Sequence, residues 1–248
     1  MARYKLTLEY EGTRFNGWQK QKEGKTIQGI LIDTAREIFK SERVDVQGSG
    51  RTDRGVHAIE QIAHLDAETT LKEDVIRLKL NDSLPHDINI LKVEKAPLKF
   101  HARHDAVSRT YLYQIAKRRT AFGKEYVWWV KDSLDVMKMK TAAEYFVGFH
   151  DFISFTDKVL KHEESRVDLT ELRIEETGNL ILIRITASHF LWKMVRRIVG
   201  TLVETGRGNI KPERIKEFLA RHDETLAKFT APPSGLFLEK VLYKGDKL

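Results

Sequence analysis

Gly50-Arg51-Thr52-Asp53-Arg54-Gly55-Val56-His57-Ala58 lies between two stretches that read as β-strands, and the pattern around it decides the fold. Upstream, a short strand is expected around Val44-Asp45-Val46; downstream, a second covers about 59–66. Further out on the amino-terminal side, Thr26 stands at a helix start, followed by Ile27, Ile30, Leu31, Thr34 and Ile38 at helical spacing. On the other side a helix is expected near 72–80, stopping ahead of Pro85, and then a strand over 88–93. Outermost, Tyr4, Leu6, Leu8 and Tyr10 alternate with Lys5, Thr7 and Glu9, the period of a half-buried strand. The order is strand, helix, strand, strand, helix, strand, which is the split βαβ pattern of a ferredoxin-like unit.

The second half repeats the theme. Val107, Arg109, Tyr111, Tyr113 and Ile115 share one face of a strand, and Val136, Met139, Ala143 and Phe146 form a helical stripe. Strands at 167–175 and 180–187 are joined through Thr177-Gly178-Asn179, a hairpin turn signal. A long helix is expected over about 190–205, a shorter one from near Pro212, and a last strand over about 236–243. The expected architecture is therefore α+β. It comprises two ferredoxin-like subdomains, 1–104 and 105–248, that share a central, mainly antiparallel sheet with a cleft between them.

Composition narrows the function. The 248 residues are 41% hydrophobic, enough for a sizeable core, and five prolines with no low-complexity run argue against a disordered linker. The absence of cysteine removes disulfides, thiolate metal sites and cysteine nucleophiles together. No apolar run is long enough for a membrane span and the amino terminus lacks a signal-peptide core, so a soluble, cytoplasmic protein is expected. The net charge of +7 suits a polyanionic partner, although many mildly basic proteins bind no nucleic acid. The cations gather beside aromatic residues, in Arg103-His104, Lys117-Arg118-Arg119 and Lys193 with Arg196-Arg197.

Two local features have two readings each. The glycines around Asp53 fit a loop that approaches a ligand closely and fit equally a plain turn, where Asp is common. The stretch is neither a P-loop, lacking Gly-Lys-Ser/Thr, nor a nucleophile elbow. On the helix expected over 190–205, Lys193 and Arg197 fall on a face that reaches solvent or phosphate, whereas Arg196 lies among apolar neighbours. A guanidinium there calls for an acidic partner, with Asp53 a candidate, or else snorkels to water. His101, His104 and Asp105, or His150 and Asp151, are too few and too scattered to argue for a metal, so none is expected.

Several segments, in order along nearly the whole chain, resemble the tRNA pseudouridine synthase A family. They are Tyr10 to Gln19, Thr26-Ile27-Gln28-Gly29, Gly50 to Ala58, Asn81 to Ile88, Phe100-His101-Ala102-Arg103 and Arg109-Thr110-Tyr111-Leu112-Tyr113. They continue with Phe149-His150-Asp151-Phe152, Phe190 to Arg196 and Ala231 to Leu236. Departures are small: Glu11-Gly12 stands where the family usually has Asp-Gly, and Ile59-Glu60 is an unfamiliar continuation of the Asp53 segment.

The resemblance implies isomerisation of uridine to pseudouridine at positions 38, 39 and 40 in the tRNA anticodon stem-loop, without metal or organic cofactor, by a homodimer. It makes Asp53 the essential carboxylate, either a nucleophile at C1′ or the acceptor of the 2′ proton, with Arg196 as its cationic partner. Tyr111 would stack on the displaced uracil and stand where the C5 proton leaves, although a phenol is a weak base at neutral pH. Arg51 would place the loop and the flipped nucleotide; Arg103, Lys193 and Arg197 are expected phosphate contacts. The rival readings are a non-catalytic RNA-binding module and a pseudouridine synthase acting on another RNA.

Overall fold

A computed structural model describes residues 1–158 and 162–246. The chain runs β1 (Ala2–Tyr10), α1 (Ile27–Phe39), β2 (Asp45–Gly48), β3 (His57–Ala67), α2 (Glu73–Ser83) and β4 (Ile88–Ala96). It continues with β5 (Ala106–Ala116), β6 (Trp128–Trp129), α3 (Val136–Glu144) and β7 (Gly148–Asp151). The remainder is β8 (Arg166–Thr177), β9 (Leu180–Ala187), α4 (Met194–Gly206), α5 (Arg214–Ala220) and β10 (Leu236–Tyr243). It divides into two compact units, Met1–Val107 with Phe237–Leu248, and Ser108–Leu236.

In the first unit, β1 lies between β3 and β4, antiparallel to both, and β2 pairs antiparallel with β3. The spatial order 4-1-3-2 is that of the ferredoxin-like arrangement expected from the element order. β10 adds to β3 in parallel, Phe237 opposite His57. Tyr4, Leu6, Leu8 and Tyr10 are the buried face of β1, as their alternation predicts. Thr26 caps α1, its side chain accepting from the Gly29 amide, and Ile27, Leu31 and Ala35 turn inward. β3 is buried on both faces between Gln61 and Leu65, so its polar members Gln61 and His64 must find partners inside the protein.

In the second unit, β5 pairs antiparallel with β9, β9 with β8 and β8 with β7, while β6 runs parallel beside the end of β5. Val136, Met139, Ala143 and Phe146 are buried, and the turn between β8 and β9 falls where Thr177-Gly178-Asn179 put it. The α4 helix begins at Met194, not near Phe190, because Lys193 adopts a left-handed conformation (φ 63°) that a continuous helix cannot contain. Both units are thus mixed α+β with mainly antiparallel pairing.

Candidate active site

A strap distant in sequence, Gly12 to Trp18, crosses the backbone around Asp53. The Trp18 amide donates to the Thr52 carbonyl (3.1 Å), and the Val56 amide closes a turn on the Asp53 carbonyl (3.1 Å). Gly17, at φ 87°, passes so close that a Cβ there would stand 2.5 Å from the Thr52 oxygen. Gly12 crosses the other side of the loop, where a Cβ would lie 2.0 Å from the Val56 carbonyl oxygen. Beyond them, the Gly17 carbonyl accepts from the Ile27 amide and the Trp18 carbonyl from the Gln28 amide, which ties this strap to the start of α1. The Gln28 side chain completes the tie by donating to the Val46 carbonyl (2.7 Å) and accepting from the Lys20 amide (2.8 Å).

Beneath the loop lies a buried polar network. The Tyr10 hydroxyl and Thr52 Oγ1 are 2.8 Å apart, and both side chains are buried. Gln61 Oε1 accepts from the Ser49 hydroxyl (2.6 Å), while its Nε2 donates to the Gly50 carbonyl (3.1 Å) and, at 3.4 Å, to the Tyr10 oxygen. Burial pushes the Tyr10 phenol up to about 12, its bonds to Thr52 and Gln61 pulling the other way, so it is a neutral hydroxyl. Such a network, with its members satisfied, holds one conformation of the loop.

His57 closes the far end of the segment. Its Nδ1 accepts from the Gly12 amide (3.0 Å), and its ring stacks on Phe237 with centroids 4.7 Å apart. Because Nδ1 uses its lone pair this way, it carries no proton, and the Glu11 carboxylate 3.3 Å from it is a neighbour and not an ion-pair partner through that nitrogen. Asp53 itself is half-buried at the loop's crest, flanked by exposed Arg51 and Arg54. The backbone that carries Asp53 is thus held by hydrogen bonds from the Trp18 amide and the Gln61 side chain and crossed closely by Gly12 and Gly17.

Arg103 is also exposed in this unit, on a turn held from both sides. The Ala102 amide donates to His64 Nδ1 (3.2 Å) and the Ala102 carbonyl accepts from the Tyr243 hydroxyl (2.7 Å). His64 is driven down to about 4, chiefly by burial and then by Arg3 and His101, so it is neutral. The amides of Arg103 and His104 donate to His101 Nδ1. Among the described residues no group of three or more His, Asp or Glu is placed to hold a metal ion.

In the second unit Tyr111 is buried on β5, opposite Ile185 of β9, with its ring edge-on to Phe190 at 5.0 Å. Arg196 is half-buried in the first turn of α4. Its Nε donates to the Ala231 carbonyl (2.7 Å) while its own carbonyl accepts from the Ala231 amide (3.0 Å). The Ala231-to-Gly235 stretch is further held by Tyr113, whose hydroxyl donates to the Pro232 carbonyl (2.8 Å).

The expected position of Arg197 is corrected by its burial. Arg197, expected on the solvent face, is only 3% exposed. Its guanidinium donates to the carbonyls of Ser154 (3.1 Å) and Thr156 (2.7 Å) and meets the Asp157 carboxylate, leaving no face for a phosphate. Lys193 pairs with Asp157 too (2.6 Å) and lies over the Trp192 ring. Arg196, expected in the apolar setting, is the more open of the two arginines. Spacing alone pointed to neither Gln61, one of several polar residues along β3, nor Asp157.

The chain matches the family model described as tRNA pseudouridine synthase over residues 7–105 and 142–244. It is 42% identical over 245 residues to tRNA pseudouridine synthase A 2 of Clostridium perfringens, covering 98% of this chain and 100% of that one. It is likewise 42% identical over 244 residues to tRNA pseudouridine synthase A of Ehrlichia chaffeensis, covering 97% and 100%. A third relative, from Thermodesulfovibrio yellowstonii, is 38% identical over 255 residues, covering 98% and 100%. With matches of this extent, the chain belongs to the tRNA pseudouridine synthase A family, a family of isomerases.

Proposed function

We propose that this enzyme converts uridine to pseudouridine at positions 38, 39 and 40 of the tRNA anticodon stem-loop, with Asp53 as its essential carboxylate. The observation that carries the reading is the setting of Asp53. It is a half-buried acid in a glycine-rich loop packed against Gly12 and Gly17 and hydrogen-bonded by Tyr10 and Gln61, in a chain of this family. A carboxylate that must meet an oxocarbenium-like C1′ gains from such fixed placement, since orientation is then settled before substrate arrives.

In this reading the N1–C1′ bond breaks, the freed uracil turns, and C5 bonds to C1′. The C5 proton is lost and N1 is protonated, so the product is an isomer and no redox partner is needed. Asp53 either attacks C1′ or takes the 2′ proton, and Arg196 supports its ionised form. Tyr111 stacks on the uracil. Arg51 steadies the extruded nucleotide, whose unstacking costs a few kcal/mol that binding must offset. Arg103, exposed, and Lys193 contact phosphates. The enzyme works in the cytoplasm as a homodimer.

The test is incubation of wild type with a tRNA transcript carrying uridines at 38, 39 and 40, followed by mapping of pseudouridine. Product confined to those positions supports the reading. Product elsewhere, or none from folded protein that binds the transcript, refutes it.

A further inference from the structure

We propose that the stretch from the end of β5 through β6, residues 117–131, is an RNA-gripping finger, with arginine and lysine side chains on the phosphates and Phe122 stacked on an unpaired base. The inference extends the proposed function by adding a surface to it, and it rests on that reading for the identity of the RNA.

The stretch Lys117-Arg118-Arg119-Thr120-Ala121-Phe122-Gly123-Lys124-Glu125-Tyr126-Val127-Trp128-Trp129-Val130-Lys131 holds five cations and one carboxylate. Lys117 is neutralised by Glu176 at 3.0 Å. Arg118, Arg119, Lys124 and Lys131 are exposed, and among the described residues none of them forms an ion pair. In a protein whose surface cations so often meet a carboxylate, four unneutralised charges in fifteen residues make a local positive field.

Aromatic surface accompanies the charge. Phe122 is 92% exposed, and Tyr126 and Trp129 each 42%. A phenyl ring left in water gains nothing for the fold, yet the backbone that presents it is hydrogen-bonded. Thr120 Oγ1 donates to the Phe122 carbonyl (2.8 Å) and accepts from the Phe122 amide (3.3 Å). A single 3-10 turn follows over Lys124–Tyr126, closed by the Tyr126 amide on the Gly123 carbonyl (3.0 Å). The return limb is anchored by β6 beside β5, by the Val130 amide on the Ala116 carbonyl (3.1 Å) and by the Ser234 hydroxyl on the Val127 carbonyl (3.2 Å). An exposed ring with flanking cations is the combination that single-stranded nucleic acid recognises.

The rival occupant is a second copy of the chain. Charge argues against it, because a two-fold contact would set this finger against the same unneutralised charge on its twin.

The experiment compares full-length wild type, Phe122→Ala, Phe122→Trp and the double variant Arg118→Ala/Arg119→Ala. It measures tRNA affinity across a salt series, the melting temperature and the mass in solution. Phe122→Ala is expected to weaken binding roughly tenfold, with Phe122→Trp restoring it. The double variant is expected to flatten the plot of log affinity against log salt by about 1.5, at 0.7 to 0.9 for each phosphate contact. Melting temperatures should be unchanged, because Arg118, Arg119 and Phe122 are all exposed. If wild type binds and modifies tRNA while all variants bind equally well, the finger is refuted and the proposed function stands. If a variant instead changes mass in solution with tRNA affinity intact, the surface is a self-contact and the inference is overturned. Failure of wild type to bind tRNA would refute the finger together with the functional reading beneath it.

Discussion

The Tyr10 hydroxyl lies 2.8 Å from Thr52 Oγ1, which links the buried face of the first strand to the residue just before Asp53. The bond is out of water on both sides, so its loss leaves a buried polar group without its partner. Tyr10→Phe and Thr52→Val are each expected to lower stability by about 1–2 kcal/mol, and a double-mutant cycle by denaturant titration should give a coupling of about 1 kcal/mol. Turnover number should fall in both single variants while tRNA affinity holds, since the loop moves and the binding surface does not. Strictly additive effects would mean that the contact does not hold the loop.

Gly17 gives a sharper case. Alanine there meets a positive φ and the Thr52 carbonyl at once, with no flexible side chain to yield. Gly17→Ala is expected to cost about 2 kcal/mol or more and to reduce turnover at least tenfold. Thermal melts beside single-turnover rates check it, and a wild-type rate in a melted-in variant would show that the loop tolerates displacement.

Arg197 should behave as a structural residue. Replacing it by methionine strands the carbonyls of Ser154 and Thr156 and leaves Asp157 with Lys193 alone. A loss of about 3 kcal/mol is expected, with tRNA affinity unchanged at a temperature where the variant is folded. A stable variant with weakened tRNA binding would restore the phosphate role that its burial removes.

His64 makes stability depend on pH. Its folded value, about 4, lies below the ordinary 6.5, so the unfolded chain takes up a proton first as pH falls. The stability is whole above about pH 6.5 and is lost progressively between there and about 4; below that both states are protonated and the term stops growing. In a His64→Gln variant, whose amide oxygen still accepts from Ala102, the melting temperature should fall less over that window than in wild type. Parallel curves would contradict the assignment.

Much of the fold is legible in sequence because it is written locally. The alternation from Tyr4 to Tyr10, the Thr26 cap, the Thr177-Gly178-Asn179 turn and the strand at 236–243 each need only neighbours in the chain to be read. What escaped depends on contacts from afar. The start of α4 moved to Met194 because Lys193 takes a left-handed turn, and the fates of Arg196 and Arg197 follow from which segments lie alongside, Ala231 for one and Ser154 to Asp157 for the other. The parallel addition of β10 to β3 joins residues 180 positions apart, which no periodicity encodes. For the candidate site, the loop's position was visible in its glycines, whereas its support from Gln61 was not, since an amide in a strand reads as an exposed residue until both faces are known to be covered.

Tritium release from a tRNA transcript carrying 5-tritiated uridine, compared between wild type and Asp53→Asn, measures whether the Asp53 carboxylate is essential. The substitution keeps the shape of the side chain and removes its charge. Steady release is expected from wild type and none above background from Asp53→Asn, with melting temperature and tRNA affinity close to wild type. Substantial release by Asp53→Asn would contradict that essential role.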